Sequence, residues 1–214
     1  MAALLEKYLS PEAYLEIERK AEYKSEYFQG EMYQMAGASL VHNIIVANVV
    51  GELRAQLKKR PCMVLPSDMR LRLPMRNYAY PDVLVVCGTP QLEDKEKDIL
   101  LNPTVLIEVL SDSTEAKDRG LKAWHYRKIE SLSEYIFIDQ HTAKIELYTR
   151  QANGTWTLSE VNGLSDTLEI ASIECKLAMT EIYDKVEIQE NELEFSAQSP
   201  SKKRPQKRGK KKAD

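Results

Sequence analysis

Asp82, Glu108 and Lys122 are the side chains of this sequence whose types and order could carry out hydrolysis. Asp82 opens the apolar run PDVLVVC, Glu108 interrupts a second run, VLIEVL, and Lys122 follows one helical segment later in DSTEAKDRGLKAWHY. A carboxylate inside a buried strand is costly unless it is paired or holds a cation. If Asp82 starts one strand and Glu108 lies near the end of its neighbour, the two converge at a sheet edge. Hard oxygen ligands there suit Mg2+ or Mn2+, and the peptide carbonyl of Val109 would add a third. Such a cation could activate water and offset charge on a phosphodiester, with the Lys122 ammonium placing the water or offsetting the same charge. The plainer readings are a turn-forming Asp82 after Pro81 and a surface pair between Lys122 and Asp118, four residues earlier.

The elements that must position these groups are partly legible. Ser10 and Pro11 predict a short helix from 11 to about 22. EYKSEYFQGEMYQMAG alternates about Gln29-Gly30 and predicts a hairpin that carries Glu31. Ser39 caps a predicted core helix that starts near His42 and is apolar at Val41, Ile44, Ile45, Val49, Leu53 and Leu57. CMVLPSDMRLRL reads as one or two strands, and TPQLEDKEKDILLN as a charged connection. Ser113 or Thr114 is expected to cap a helix through Lys122 and Tyr126 to about Ser131. EYIFIDQ, AKIELYTR and TWTLSEV predict an antiparallel meander with a type I′ turn at Asn153-Gly154. A short helix at TEIYDKV follows. The whole is an α+β pattern.

At 214 residues the chain can bury one substantial core. The expected division is a domain over 1–190 and a basic, disordered tail over 191–214. SKKRPQKRGKKKAD holds eight of the 30 Lys and Arg, leaving 22 basic against 32 acidic residues in the body. An acidic body excludes a wide electropositive surface, so the tail is the expected route to non-specific DNA contact. Three scattered His and three scattered Cys give no zinc spacing, and no nucleophile elbow or phosphate loop occurs. Cys62 and Cys87 lie in apolar runs where a free thiol behaves as a small hydrophobe. With no signal-like start and no apolar run of about 20 residues, a cytoplasmic, non-membrane protein is expected.

Pro81-Asp82 followed by a strand ending Glu108-Val109-Leu110-Ser111 resembles the PD-(D/E)xK phosphodiesterase superfamily. The ordered set QGEMYQMAG, His42, YPDVLVV, NPTVLIEVLSDST and DRGLKAWHYRKIESLSEYIFID resembles, more specifically, the Uma-two family of restriction-endonuclease type, over roughly residues 10–190. The resemblance implies a restriction-endonuclease-like core, a mixed β-sheet flanked by helices, and metal-dependent cleavage of DNA. It implies Asp82, Glu108 and Lys122 as catalytic residues and Asp82, Glu108 and Val109 as holders of Mg2+ or Mn2+. Glu31, His42 and Tyr126 are accessory candidates, and a homodimer would address two strands. The superfamily's usual lysine position, two residues after the acid, is Leu110 here, and Lys122 is the replacement. A nuclease-fold protein that binds without turnover is the rival reading.

Overall fold

The computed structural model of the protein describes residues 8–188. Ser10 Oγ accepts from the Ala13 amide and starts helix α1, Pro11–Glu18, with Pro11 in the first turn. A hairpin follows, β1 Ser25–Phe28 and β2 Glu31–Gln34, turning at Gln29 and Gly30, both at positive φ. Ser39 Oγ accepts from the His42 amide and starts the long helix α2, Leu40–Leu57. Then come β3 Cys62–Pro66, β4 Arg70–Leu73, β5 Asn77–Ala79, β6 Val83–Cys87, β7 Ile99–Leu100 and β8 Val105–Leu110. The connection from β8 to β9 Glu134–Asp139 contains α3 Glu115–Lys117, a π turn Asp118–Lys122 and α4 Ala123–Tyr126. The chain continues through β10 Lys144–Arg150, β11 Trp156–Asn162, β12 Thr167–Ile170, β13 Cys175–Ala178 and α5 Met179–Ile182.

Six strands form the central sheet in the order β11-β10-β9-β8-β6-β3, antiparallel throughout except for the parallel pair β8 and β9. A parallel pair needs a crossover, and the segment carrying Lys122 supplies it. Both faces of the sheet are covered, so β6 and β8 read as continuous apolar runs. Val83, Val85, Val105, Ile107 and Val109 pack on one face against Ile45, Val49, Leu53 and Leu57 of α2 and against Leu168 and Leu177. Leu84, Val86, Leu106 and Leu110 face the other way, against Leu71 and Leu73 and against Ala123 and Tyr126 of the crossover. That second face is backed by the other large sheet, β2-β1-β5-β4-β7. The expected mixed sheet flanked by helices, with a meander at β9-β10-β11, is therefore found.

Several expectations are corrected. Helix α1 ends at Glu18 rather than near residue 22, and the predicted helix to Ser131 ends at Tyr126 and is broken by the π turn. Thr114 stands at its start with no side-chain capping bond. The turn between β10 and β11 is not type I′, because only Gly154 has positive φ. Asn153 Oδ1 instead accepts from the Thr155 amide and hydroxyl, so the turn is closed by its side chain. The charged connection hides β7, whose Ile99 and Leu100 are buried and pair with β4. Cys62 and Cys87 are cross-strand partners on β3 and β6 and form a disulfide, not two free thiols; Cys175 is free and buried. The predicted tail of 191–214 lies outside the described residues. Among the described residues, no helix is long and apolar enough to cross a membrane.

Candidate active site

The chain leaves the five-stranded sheet at β5 and enters the six-stranded sheet at β6 through Tyr80, Pro81 and Asp82. The last paired position of β6 and β8 is Val83 with Ile107. One step further along the antiparallel register puts Asp82 opposite Glu108, on the face shared with Leu84 and Leu106. Side chains so opposed have Cβ atoms about 4.5–5.5 Å apart. The contact is direct: the Asp82 amide donates to Glu108 Oε2 at 3.3 Å. The two acids meet at strand ends in the interior of the sheet, not at the sheet edge that the sequence led us to expect.

Beyond Ile107, β8 has no β6 partner, and its freed backbone groups turn to Asp82. The Val109 amide donates to Asp82 Oδ2 at 2.8 Å, and the Val109 carbonyl points to the same side, as the two groups of one strand residue do. His42, in the first turn of α2, brings Nε2 to 3.1 Å from the same Oδ2. Burial opposes a charge on His42, but the hydrogen bond and charge of Asp82, with Asp118 and the Val109 backbone, outweigh it and raise its pKa. Asp82 Oδ1 receives no hydrogen bond from the described residues.

Lys122 reaches the site from the crossover. Its Nζ lies 2.7 Å from Glu108 Oε1, 2.9 Å from Asp118 Oδ1 and 3.3 Å from Glu26 Oε1, and it is only 5% exposed. The pair with Asp118 is thus buried rather than a surface pair. Tyr126, one turn further, donates its hydroxyl to Glu108 Oε1. Burial works against the Lys122 ammonium, yet Glu108, Tyr126, Glu26 and Asp118 raise its pKa well above the ordinary lysine value. Burial also pushes Glu108 well up, against the pull of Lys122 and with the help of Asp118 and Asp82. Four carboxylates, Glu26, Asp82, Glu108 and Asp118, face two ammonium groups, Lys117 and Lys122.

Leu110 shares the face of Glu108 and is buried in the second core with Ala123 and Tyr126. The crossover lies over the same face and brings Lys122 to Glu108. Glu31 is not brought in: it is exposed and accepts a hydrogen bond from Tyr33. The acid the hairpin contributes is Glu26, 4% exposed, which sequence reasoning missed; Asp118 was read only as a surface partner of Lys122. Strand alternation in SEYF does not single Glu26 out, because all four residues of β1 are buried.

Above these groups opens a cleft of about 680 Å³ bordered by Lys24, Ser39, Asn43, Ser67, Ser113 and Gln140. Its floor is formed by Asp82, Glu108 and Lys122. The donors fit a hard divalent cation by type: two carboxylates and the Val109 carbonyl, with Asp82 Oδ1 uncommitted. Among the described residues no three His, Cys, Asp or Glu side chains form a ready-made cluster, so a backbone oxygen and water must complete any ligand set.

A model of the family Uma2, described as "putative restriction endonuclease", matches residues 11–180. The chain belongs to this family. Two similar proteins in Synechocystis sp. (strain PCC 6803) are both uncharacterized proteins. The first, sll1609, is 35% identical over 172 residues, covering 80% of this chain and 97% of the relative. The second, slr1290, is 35% identical over 176 residues, covering 82% and 91%. The Uma2 fold seen here is also that of a crystal structure described as a putative nuclease belonging to DUF820, from Anabaena variabilis ATCC 29413. That match has a TM-score of 0.68 at 17% identity and covers 81% of this chain and 97% of the other. Membership of Uma2 and this shared fold make the protein nuclease-like in architecture.

Proposed function

We propose that the protein is a divalent-metal-dependent endonuclease that hydrolyses phosphodiester bonds of DNA. The observation that carries this reading is the Lys122 ammonium held 2.7 Å from Glu108, at the point where Asp82 stands opposite that same carboxylate. Asp82, Glu108 and the Val109 carbonyl would hold Mg2+ or Mn2+. When bound, such an ion polarises a phosphoryl oxygen and makes water more acidic. His42 and the Val109 amide orient the Asp82 carboxylate through Oδ2, and Tyr126 orients Glu108 through Oε1. Lys122, held charged, donates to the water or to the phosphate oxygens as negative charge builds on them. The water oxygen bonds to phosphorus and gives up one proton to solvent, one ester P–O bond breaks, and the departing oxygen takes up a proton in turn. Cutting both strands of a duplex calls for two such centres, which a homodimer would supply. Action on cellular DNA would put the protein in the cytoplasm.

Nicking of supercoiled plasmid with Mg2+ or Mn2+ tests the proposal. Wild type is expected to nick, and Asp82→Ala and Glu108→Ala to lose activity by at least about 100-fold. Nicking that persists in both variants would remove the assignment of the site. An absence of cleavage on plasmid, linear and single-stranded DNA would favour a nuclease-fold binding protein.

A further inference from the structure

The hairpin acid Glu26 has contacts that go beyond this reading while resting on its assignment of Lys122. Glu26 lies on β1, opposite Tyr33 of β2, in the five-stranded sheet. Its carboxylate joins three places in the chain. Oε1 accepts from the Tyr80 amide at 3.3 Å, two residues before Asp82, and lies 3.3 Å from Lys122 Nζ. Oε2 accepts from Lys117 Nζ at 2.6 Å, and the Lys117 ammonium also sits over the rings of Phe28 and Tyr33, 4.8 and 4.4 Å from their centres. Glu26 does not border the cleft, so it acts through its neighbours rather than on substrate.

An ammonium has three N–H donors. Lys122 has three carboxylates around it: Glu108, Asp118 and Glu26. Two of these acids, Glu26 and Asp118, have no proposed role with a cation, whereas Glu108 does. The donor now on Glu108 is therefore the one free to turn to a phosphate oxygen or water, provided the other two stay anchored. We infer that Glu26 is a positioning residue: it ties the lead-in to Asp82 to the crossover helix and fixes where the Lys122 ammonium stands. The five-stranded sheet, which places no side chain of its own among the proposed catalytic groups, thereby sets the alignment of the site.

The test is steady-state DNA cleavage by Glu26→Gln in the wild-type and Lys122→Met backgrounds, with hydrogen exchange of segment 115–126 as a readout independent of activity. Glutamine keeps the size and an acceptor for the Tyr80 amide but removes the charge. Glu26→Gln should lower kcat by about 10- to 100-fold with KM within about twofold, and speed exchange in segment 115–126. In the Lys122→Met background it should cost no further activity. Unchanged kcat, a loss carried by KM, or an equal additional loss without Lys122 would overturn the inference. Should Glu26→Gln fail to fold, Lys117→Met serves: it removes the nearer partner and leaves the Lys122 contact, so kcat should stay within about threefold. A fall as large as that expected for Glu26→Gln would assign the carboxylate to Lys117 alone. Loss of the inference with Asp82→Ala still silent leaves the nuclease reading standing; an active Asp82→Ala removes that reading first.

Discussion

Replacing Lys122 by methionine should destabilise the fold in a pH-dependent way, independent of any catalytic role. The lysine is one ammonium among Glu108, Asp118 and Glu26, and all four side chains are at most 6% exposed. Methionine fills the space but leaves the acids with Lys117 as their remaining cation, which contacts Glu26 alone. Removing one partner of a buried pair costs about 3–5 kcal/mol. With a urea m-value of about 2 kcal/mol per M, that is a midpoint shift of about 1.5–2.5 M. The pH dependence follows from Glu108. Burial already raises its pKa, and Lys122 is the main influence that lowers it, so the variant raises it further. A carboxyl raised in the folded state contributes stability below its unfolded pKa of about 4.3, which is lost as pH rises through the folded value. Lys122 itself is raised, so its contribution in wild type persists through neutral pH and is lost only in the alkaline range. The difference between the proteins should therefore grow as pH rises, by about 1.4 kcal/mol for each pH unit between the folded-state pKa of Glu108 in wild type and its higher value in the variant. Urea unfolding followed by fluorescence of Trp124 and Trp156 measures this. A difference under about 1 kcal/mol at every pH, or one that shrinks as pH rises from acid to neutral, would refute the reasoning.

Removing the His42 ring should cost more stability near pH 6 than near pH 9, because a histidine raised by Asp82 stabilises below its unfolded pKa and loses that effect as pH rises through the folded one; thermal melts against pH check the sign. Reduction of the Cys62 and Cys87 disulfide, which closes 25 residues, should lower stability by up to about 3.5 kcal/mol, read from urea midpoints with and without dithiothreitol. Thiol titration of the oxidised, unfolded chain should find Cys175 alone. Ile45→Ala, in the fully buried stripe of α2, should cost about 2–5 kcal/mol without altering the metal requirement of cleavage.

What could be read from the residues follows from how local each signal is. Ser39 and the stripe Ile45, Val49, Leu53 and Leu57 declare α2 because cap and spacing are both short-range. Glu108 stands out because an acid in VLIEVL has no place on either covered face unless it meets a partner. Lys122 was reachable through the family pattern, not through periodicity. Glu26 was not reachable, since its partners lie 91 and 96 positions later in the chain, at Lys117 and Lys122, and hydrophobic alternation cannot rank one hairpin acid over another. For the same reason Glu31 drew the assignment instead. The small sheet of β12 and β13 carried a period-two signal at Leu168, Ile170, Cys175 and Leu177, interrupted by the turn at Ala171–Ile173. Strand β7 is too short, at two residues, to show any period.

The π turn at Asp118–Lys122 gives the crossover one residue more than an α-helix would need, with the Ala123 amide bonded to the Asp118 carbonyl five places back. Each residue turns a helix by about 100°, so loss of a single codon here would tighten the bulge and swing one side of the helix a quarter-turn or more against the other. Lys122 could then no longer bridge Asp118 and Glu108, although the sheet, its strand register and the cleft rim would survive. Descendants of this sequence are thus one small deletion away from an intact shell with an empty hand.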